Sequence, residues 1–239
     1  MRYFILFVLI PACGASQKKD SLHTSILKLN LTSLIDGVTF PRIEISAEHQ
    51  LKKNISLTGE LGYQFYPWIA KPDTNFIKPS GIKASVQLRR YFIPGKSGDN
   101  ILDNFGLDDF QATHLPGFYA GLEFFYRYNK TNQELLYRRP DDTTRYTDCF
   151  TAAKSVFGTN LVLGLEMYLS DKVVLDVYGG LGIIYRRATN NYREYNYKTD
   201  TLQTGPDFNF GYIAEQSYLP EGNGLNLNIT LGMRLGIKL

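Results

Sequence analysis

The chain has 239 residues, 44% of them hydrophobic, a formal charge of +3 and a mean hydropathy of −0.22. A charge so small and so evenly spread excludes a basic nucleic-acid-binding protein, and no stretch approaches the roughly eighteen continuous apolar residues of a membrane helix. The totals alone would suit a soluble β domain, yet they also suit a transmembrane barrel, in which half of every strand faces a polar lumen; 17 Tyr, 15 Phe and 21 Gly against 1 Trp and 3 His are a β-rich balance.

In chain order, residues 1–16 read as a signal peptide. Arg2 supplies the positive end, residues 3–10 the apolar core, and Ala12-Cys13-Gly14-Ala15-Ser16 the small residues of a cleavage site. Cleavage near Ser16 leaves residues 17–239 as a single domain. Ile10-Pro11-Ala12-Cys13 is also an imperfect lipoprotein box, so lipidation of Cys13 stays open. After the ordinary cut Cys149 is the only cysteine, and no internal disulfide is possible.

Eight segments then alternate apolar and polar residues: 26–34, 42–51, 55–66, 81–92, 118–128, 156–169, 173–186 and 225–239. Most have about nine to fourteen residues, the length of a tilted strand crossing a bilayer, and no segment keeps a helical period. Residues 51–54 and 170–172 are tight turns, whereas 67–80, 129–154 and 187–224 are long, polar connections. With the amino terminus inside, the long connections fall on the outer side, as outer-membrane barrels have them. The connection 36–40 is short for an outer loop, and 93–116 is long for an inner one.

Alternation alone does not distinguish a membrane barrel from a soluble one with its faces exchanged. The polar face carries Arg42, Glu44, Glu48, Glu60, Lys83, Arg89, Glu123, Arg127, Glu166, Asp176, Arg186, Arg234 and Lys238. Mixed charges of this kind pair across the interior of a small barrel, or else form an ordinary solvated exterior. Three features place them inside. Gly62, Gly121, Gly164, Gly180, Gly182, Gly232 and Gly236 share the polar face, where a narrow interior needs small residues. The apolar face ends in aromatics, Tyr63 and Phe65, then Phe124, Tyr126 and Tyr128, then Tyr185, as a girdle at a lipid interface would. In LNLNITLGMRLGIKL, Leu225, Leu227, Ile229, Leu231, Met233, Leu235, Ile237 and Leu239 alternate without a break, the pattern of a lipid-facing closing strand.

This last strand resembles the sorting signal read by the bacterial barrel-assembly machinery, although Leu239 stands where that signal carries an aromatic. PRIEISAEHQLKKNISLTGELGYQFYP, GIKASVQLRRYF, GFYAGLEFFYRY and VVLDVYGGLGIIYR resemble small Gram-negative outer-membrane β-barrel proteins of unknown function, the OmpA/OmpX-like eight-stranded barrels. The resemblance covers the mature chain. It implies a barrel in the outer membrane, with outer-membrane lipid and the assembly machinery as partners, and no catalytic residues to carry over.

Candidate chemistry is sparse. His23, His49 and His114 are too dispersed for a His-x-x-x-His metal site, and no cysteine pair assists them. His49 falls on the apolar face near the Lys52-Lys53 turn, where a lipid-acting enzyme would need a nucleophile beside it. Glu44 and Glu48 share the polar face at a spacing that a glycosidase pair would also show, but a filled lumen admits no sugar. Residues 179–182, Gly-Gly-Leu-Gly, lie within a strand and precede no helix, so they are not a phosphate loop. Tyr192, Arg193, Tyr195, Tyr197, Tyr212 and Tyr218 in the last outer loop have the character of a contact surface; their folding back as extended hairpin strands, which the alternation in 192–196 also allows, is the more economical reading.

The expectation is an all-β, eight-stranded, antiparallel, up-and-down transmembrane β-barrel of the outer membrane, its polar lumen plugged by its own charges. It has no enzymatic activity, cofactor or metal, and a structural or surface-interaction role through its long extracellular loops. A soluble lipocalin-like barrel with a lipophilic ligand and an outer-membrane lipid-modifying enzyme are the alternatives.

Overall fold

The computed structural model describes residues 25–35, 42–52, 54–64, 76–92, 117–196, 198–203 and 221–239. The expectations for the signal peptide, Cys13, His23, His114, Phe65, Tyr197, Tyr212, Tyr218 and the segment 93–116 lie outside these residues.

Among the described residues nine strands form in chain order: β1 (Ser25–Asn30), β2 (Arg42–Lys52), β3 (Ile55–Gln64), β4 (Phe76–Phe92), β5 (Gly117–Arg138), β6 (Tyr146–Tyr168), β7 (Val173–Asn191), the two-residue β8 (Thr201–Leu202) and β9 (Gly222–Lys238). Each long strand pairs antiparallel with its chain neighbour, β7 passes over β8 to pair with β9, and β9 pairs with β1. Eight strands therefore close into a ring, and β8 is an appendage on the end of β5.

The ring is sheared. Following aligned residues once around it, from Leu225 through Tyr185, Phe157, Tyr126, Ala84, Leu61, Ile45 and Leu29, returns to β9 at Leu235, ten residues from the start. With about 3.3 Å per residue along a strand and about 4.8 Å between strands, that offset tilts the strands by about 40° from the ring axis. Eight strands at this tilt enclose a space that side chains can just fill.

Period-two alternation sends one set of side chains into that space and the other out. Lys28 (1% exposed), Arg89 (0%) and Asp176 (0%) point in, whereas Leu61 (65%), Leu181 (66%) and Leu227 (86%) point out. The polarity of an ordinary soluble domain is thus inverted: the charges are buried and the large aliphatic side chains are exposed.

The strand positions follow the alternation closely in the half of the ring that holds the tight turns. At the other end they depart from it. The first strand stops at Asn30 rather than continuing to residue 34, and the chain leaves it through a 3-10 turn, Thr32–Ile35. Asn30 directs this exit, because its side-chain oxygen accepts from the Thr32 hydroxyl (2.8 Å) and the Ser33 amide (3.3 Å). Conversely, the long polar loop expected over 129–154 is mostly strand. β5 and β6 run as a single hairpin to a turn at 139–145, with Tyr137 aligned to Tyr146. Residues 129–134 are all polar, so no apolar stripe marks them; the hydrogen-bonded ladder continues without one.

At the tip of this hairpin Tyr137, Phe150, Ala152 and Tyr195 form a small buried cluster, with Tyr146 against it. The Tyr195 ring lies 5.5 Å from that of Tyr137, nearly edge-on. The Asp148 carboxylate accepts the backbone amides of Glu194 (2.9 Å) and Tyr195 (2.7 Å), and the Gln203 amide donates to the Leu136 carbonyl (2.8 Å). In the turn itself, the Tyr146 hydroxyl (2.5 Å) and the Thr144 amide (2.8 Å) donate to Asp142 and hold its carboxyl at a pKa of about 2. Removal of the Asp148 acceptor by Asp148→Ala is expected to speed amide exchange of residues 192–203 at least tenfold, leaving exchange in the ring strands unchanged; uniform acceleration along the chain would disprove this local role.

Candidate functional site

The interior has two unlike halves. Toward the tight turns it is filled by charge. The Lys28 ammonium, from β1, lies 2.6 Å from Glu48 of β2, 2.6 Å from Glu166 of β6 and 3.2 Å from Asp176 of β7. Arg89, from β4, reaches the same three carboxylates at 2.8, 3.3 and 2.9 Å. Tyr91 donates its hydroxyl to Glu48 (2.5 Å) and Glu166 (2.9 Å), and Tyr119 donates to Asp176 (2.8 Å). Charges from five strands thus meet at one knot, and β5 adds Tyr119 to it. Glu48, Glu166 and Asp176 lie close enough together to hold a cation, and the cationic groups of Lys28 and Arg89 already meet all three.

A second tier continues above the knot. Arg234 binds Glu60 (2.9 Å) and reaches Asp176 (3.5 Å), Lys83 binds Glu60 (2.8 Å) and Glu44 (3.3 Å), and Arg42 binds Glu44 (2.8 Å). The two tiers contain Lys28, Arg42, Lys83, Arg89 and Arg234 against Glu44, Glu48, Glu60, Glu166 and Asp176, a neutral set with every member paired. Such balance is what makes so many buried charges tolerable, since each desolvated ion needs a partner and its hydrogen bonds.

Tyrosine and glycine set the spacing of these tiers. Tyr119, Gly164, Tyr178 and Gly232 are aligned across β5, β6, β7 and β9. The Tyr119 ring lies where a Cβ on Gly164 would be, and the Tyr178 ring where a Cβ on Gly232 would be. Each ring then carries a guanidinium, Arg89 at 4.4 Å from the Tyr119 centroid and Arg234 at 3.9 Å from that of Tyr178. The glycines are thus the seats of the rings, and the rings orient the arginines.

Toward the long hairpin the interior is open. A cavity of about 690 Å³ is lined by residues that include Arg42, Lys83, Arg127, Lys154 and Arg186, with Glu44 and Glu123 the carboxylates among its walls. Glu123 accepts from Asn160 (2.6 Å), which in turn accepts from Asn228 (2.7 Å).

Of the charges read from the alternation, Arg42, Glu44, Glu48, Glu60, Lys83, Arg89, Glu166, Asp176 and Arg234 meet in the two tiers, and Glu123, Arg127 and Arg186 face the cavity. Lys238 stands apart: it is exposed at the end of β9, its ammonium 5.7 Å from the Tyr168 ring. Lys28, the central cation, is not among those charges, although its place between Leu27 and Leu29 puts it on the polar face. The same holds for the polar-face tyrosines Tyr91, Tyr119 and Tyr178, because an aromatic in such a pattern reads as an outward residue.

His49 lies exposed on the outer face, its Nδ1 3.0 Å from the Ser25 hydroxyl. Ser25 and His49 are directly aligned cross-strand neighbours, which by itself brings the two side chains together. In the last outer loop the expected contact surface divides. Tyr192 is 90% exposed at a left-handed backbone position (φ 66°) that ends β7, and Arg193 pairs with Glu221 (3.6 Å). Tyr195 is buried in the hairpin cluster, so it is a packing residue and not a contact residue. Residues 192–196 adopt neither strand nor helix, so the extended hairpin also considered for them does not form. Comparison of the chain with protein families, with curated proteins and with solved structures finds no match in any of the three.

Proposed function

We propose that the chain is an eight-stranded transmembrane β-barrel of the outer membrane, exported by its amino-terminal signal and closed in lipid by its last strand, β9. Its role is structural or interactive, exercised through the parts of the chain that rise above the bilayer. The inverted polarity carries this proposal: a closed ring with paired charges inside and an aliphatic exterior is stable where the outside is hydrocarbon. The β5–β6 hairpin supports the second part, since its tip has a small aromatic core of its own and presents Tyr192 beside it. The knot of Lys28, Arg89, Glu48, Glu166 and Asp176 crosses the interior and supports the reading of a plugged barrel rather than an open pore.

The test is to refold residues 17–239 in detergent and compare boiled and unboiled samples on a denaturing gel. The folded band is expected to migrate faster, the protein to precipitate without detergent, and planar bilayers to show no conductance of porin size. A monomer soluble in plain buffer would overturn the membrane location, and a porin-like conductance would overturn the plug.

A further inference from the structure

The outer face of the ring changes character toward the long hairpin. Going up β5, the outward positions from Phe118 to Tyr128 are apolar or aromatic, and the next outward residue is Lys130. Going up β7, the outward positions from Val173 to Tyr185 are aliphatic, glycine or tyrosine, and the next is Arg187. Both cations are exposed, and neither takes part in an ion pair among the described residues.

Register sets these two cations at one level. Arg187 is aligned with Ser155 of β6, and Ser155 with Tyr128 of β5. The ring accumulates its ten-residue offset over eight seams, each aligned step descending toward the tight turns. Two steps from β7 to β5 therefore descend by about two and a half residues, and Lys130, two residues above Tyr128, regains the level of Arg187. Two strand spacings of about 4.8 Å and two residues of about 3.3 Å place the Cα atoms of the two cations about 12 Å apart across the sheet.

Three zones meet at this level, all within the continuous segment 117–196. Below the cations Tyr185, Phe157 and Tyr126 are aligned in one row; the Phe157 and Tyr126 rings are 4.7 Å apart, and Phe157 is 59% exposed. Between the cations β6 presents only Ser155 and Ala153, short side chains that leave the sheet surface low. Above them the outward residues are uncharged hydrogen-bonding groups: Thr189 and Asn191 on β7, Thr151 on β6 and Asn132 on β5, whose side-chain oxygen accepts from the Thr151 hydroxyl (3.0 Å). Exposed rings under cationic side chains are the arrangement that suits a headgroup level, with hydrocarbon on one side and water on the other. A purely anionic partner would match the cations alone, whereas an amphiphile with a sugar head matches all three zones.

We infer that the outer face of β5, β6 and β7 at this level is a docking surface for an outer-leaflet glycolipid whose sugar headgroup carries two phosphates. One phosphate meets Lys130 and the other Arg187. The sugars lie over Ser155 and Ala153 against the polar wall above, and the acyl chains run down over Phe157 and Tyr126. A lone phosphate satisfies both cations only if the two side chains fold toward each other over Ser155; two phosphates across a disaccharide meet each cation in its own column. The inference rests on the membrane-barrel reading, whose outer leaflet supplies the lipid.

The test uses residues 17–239 in bilayer discs of phosphatidylcholine containing equal minor fractions of bisphosphorylated lipid A and phosphatidylglycerol. Lipids retained on release are counted by native mass spectrometry, and the gel shift of the same sample reports folding of each variant. Bisphosphorylated lipid A is expected to be retained about tenfold over its share, because each cation beside an anionic headgroup adds to retention, with phosphatidylglycerol near its own share. Lys130→Gln/Arg187→Gln should return lipid A to its share. Lys52→Gln/Arg90→Gln, which removes the same charge from exposed positions at the tight-turn end, should leave the retention unchanged. Equal enrichment of phosphatidylglycerol would overturn the two-phosphate match, and an equal loss in the Lys52/Arg90 variant would trace retention to net charge and overturn the site. A folded, inserted protein with no lipid preference would overturn the docking surface and leave the barrel standing, whereas a protein that fails to insert would overturn the barrel and the surface with it.

Discussion

Replacement of Lys28 by Met is expected to lower the free energy of unfolding by about 3–5 kcal/mol, the range for breaking a buried ion pair on one side only. The reason is geometric. Lys28 lies within 3.2 Å of Glu48, Glu166 and Asp176, and its removal leaves those three carboxylates to Arg89 and, at 3.5 Å from Asp176, Arg234. Met fills nearly the same volume, so the loss reports charge rather than a cavity. If charge is the cause, a compensating change restores stability: Glu166→Gln in the same chain removes one uncompensated carboxylate and keeps an acceptor for the Tyr91 hydroxyl. Equilibrium unfolding in urea with lipid vesicles measures both. The double variant should recover at least half of the loss, and a Lys28→Met protein that unfolds at the parent's midpoint would mean that the knot contributes nothing to stability.

The second large effect belongs to the glycine seats. Gly164→Val and Gly232→Val are each expected to cost about 1–3 kcal/mol, the range for overpacking. A side chain at either position occupies the space of the Tyr119 or Tyr178 ring, and these rings carry Arg89 and Arg234, so their displacement reaches the ion pairs. Gly59 is the control. It lies on the outer face of β3, and a Cβ there would meet nothing within 4 Å. Gly59→Val should be neutral or stabilising by up to about 1 kcal/mol, because a β-branched residue suits a strand better than glycine. The same vesicle titration distinguishes the three variants; equal losses at all three would mean that strand propensity, and not ring seating, sets the outcome.

The ring was legible in the sequence because its determinant is local. Period-two alternation places every second residue on one face, and the interior glycines and unbroken pairs such as Leu225 and Leu227 tell which face is which. The strand ends at the tight turns were legible for the same reason. What escaped was set by long-range geometry. Residues 129–134 carry no apolar stripe, so the alternation gives no sign of the strand there although the β5–β6 ladder continues through them. Lys28 was missed because a lone lysine in a short strand gives no hint that four other strands will converge on it. Tyr119 and Tyr178 look like outward residues until register brings Gly164 and Gly232 beside them. Tyr195 looked like a contact residue because nothing local shows that Asp148 will hold its amide.

The uneven seams of the ring also imply an order of assembly. β5 and β6 are joined by a turn at 139–145 and align from Gly117–Glu166 to Tyr137–Tyr146, a pairing that requires almost no loop to be closed. β1 and β9 join residues at opposite ends of the chain and align at only five positions, from Ile26–Lys238 to Asn30–Arg234. Non-local pairings form late because the entropy of bringing distant segments together must be met before any contact rewards it. Growth by hairpins outward from β5–β6 would leave the edges of β1 and β9 unpaired until the final step, when Arg234 swings into reach of Glu60 and Lys28 into reach of Glu166. Closing the sheet and locking the charge knot would then be one event, and the incomplete ring before it would expose two open strand edges prone to pair with other chains.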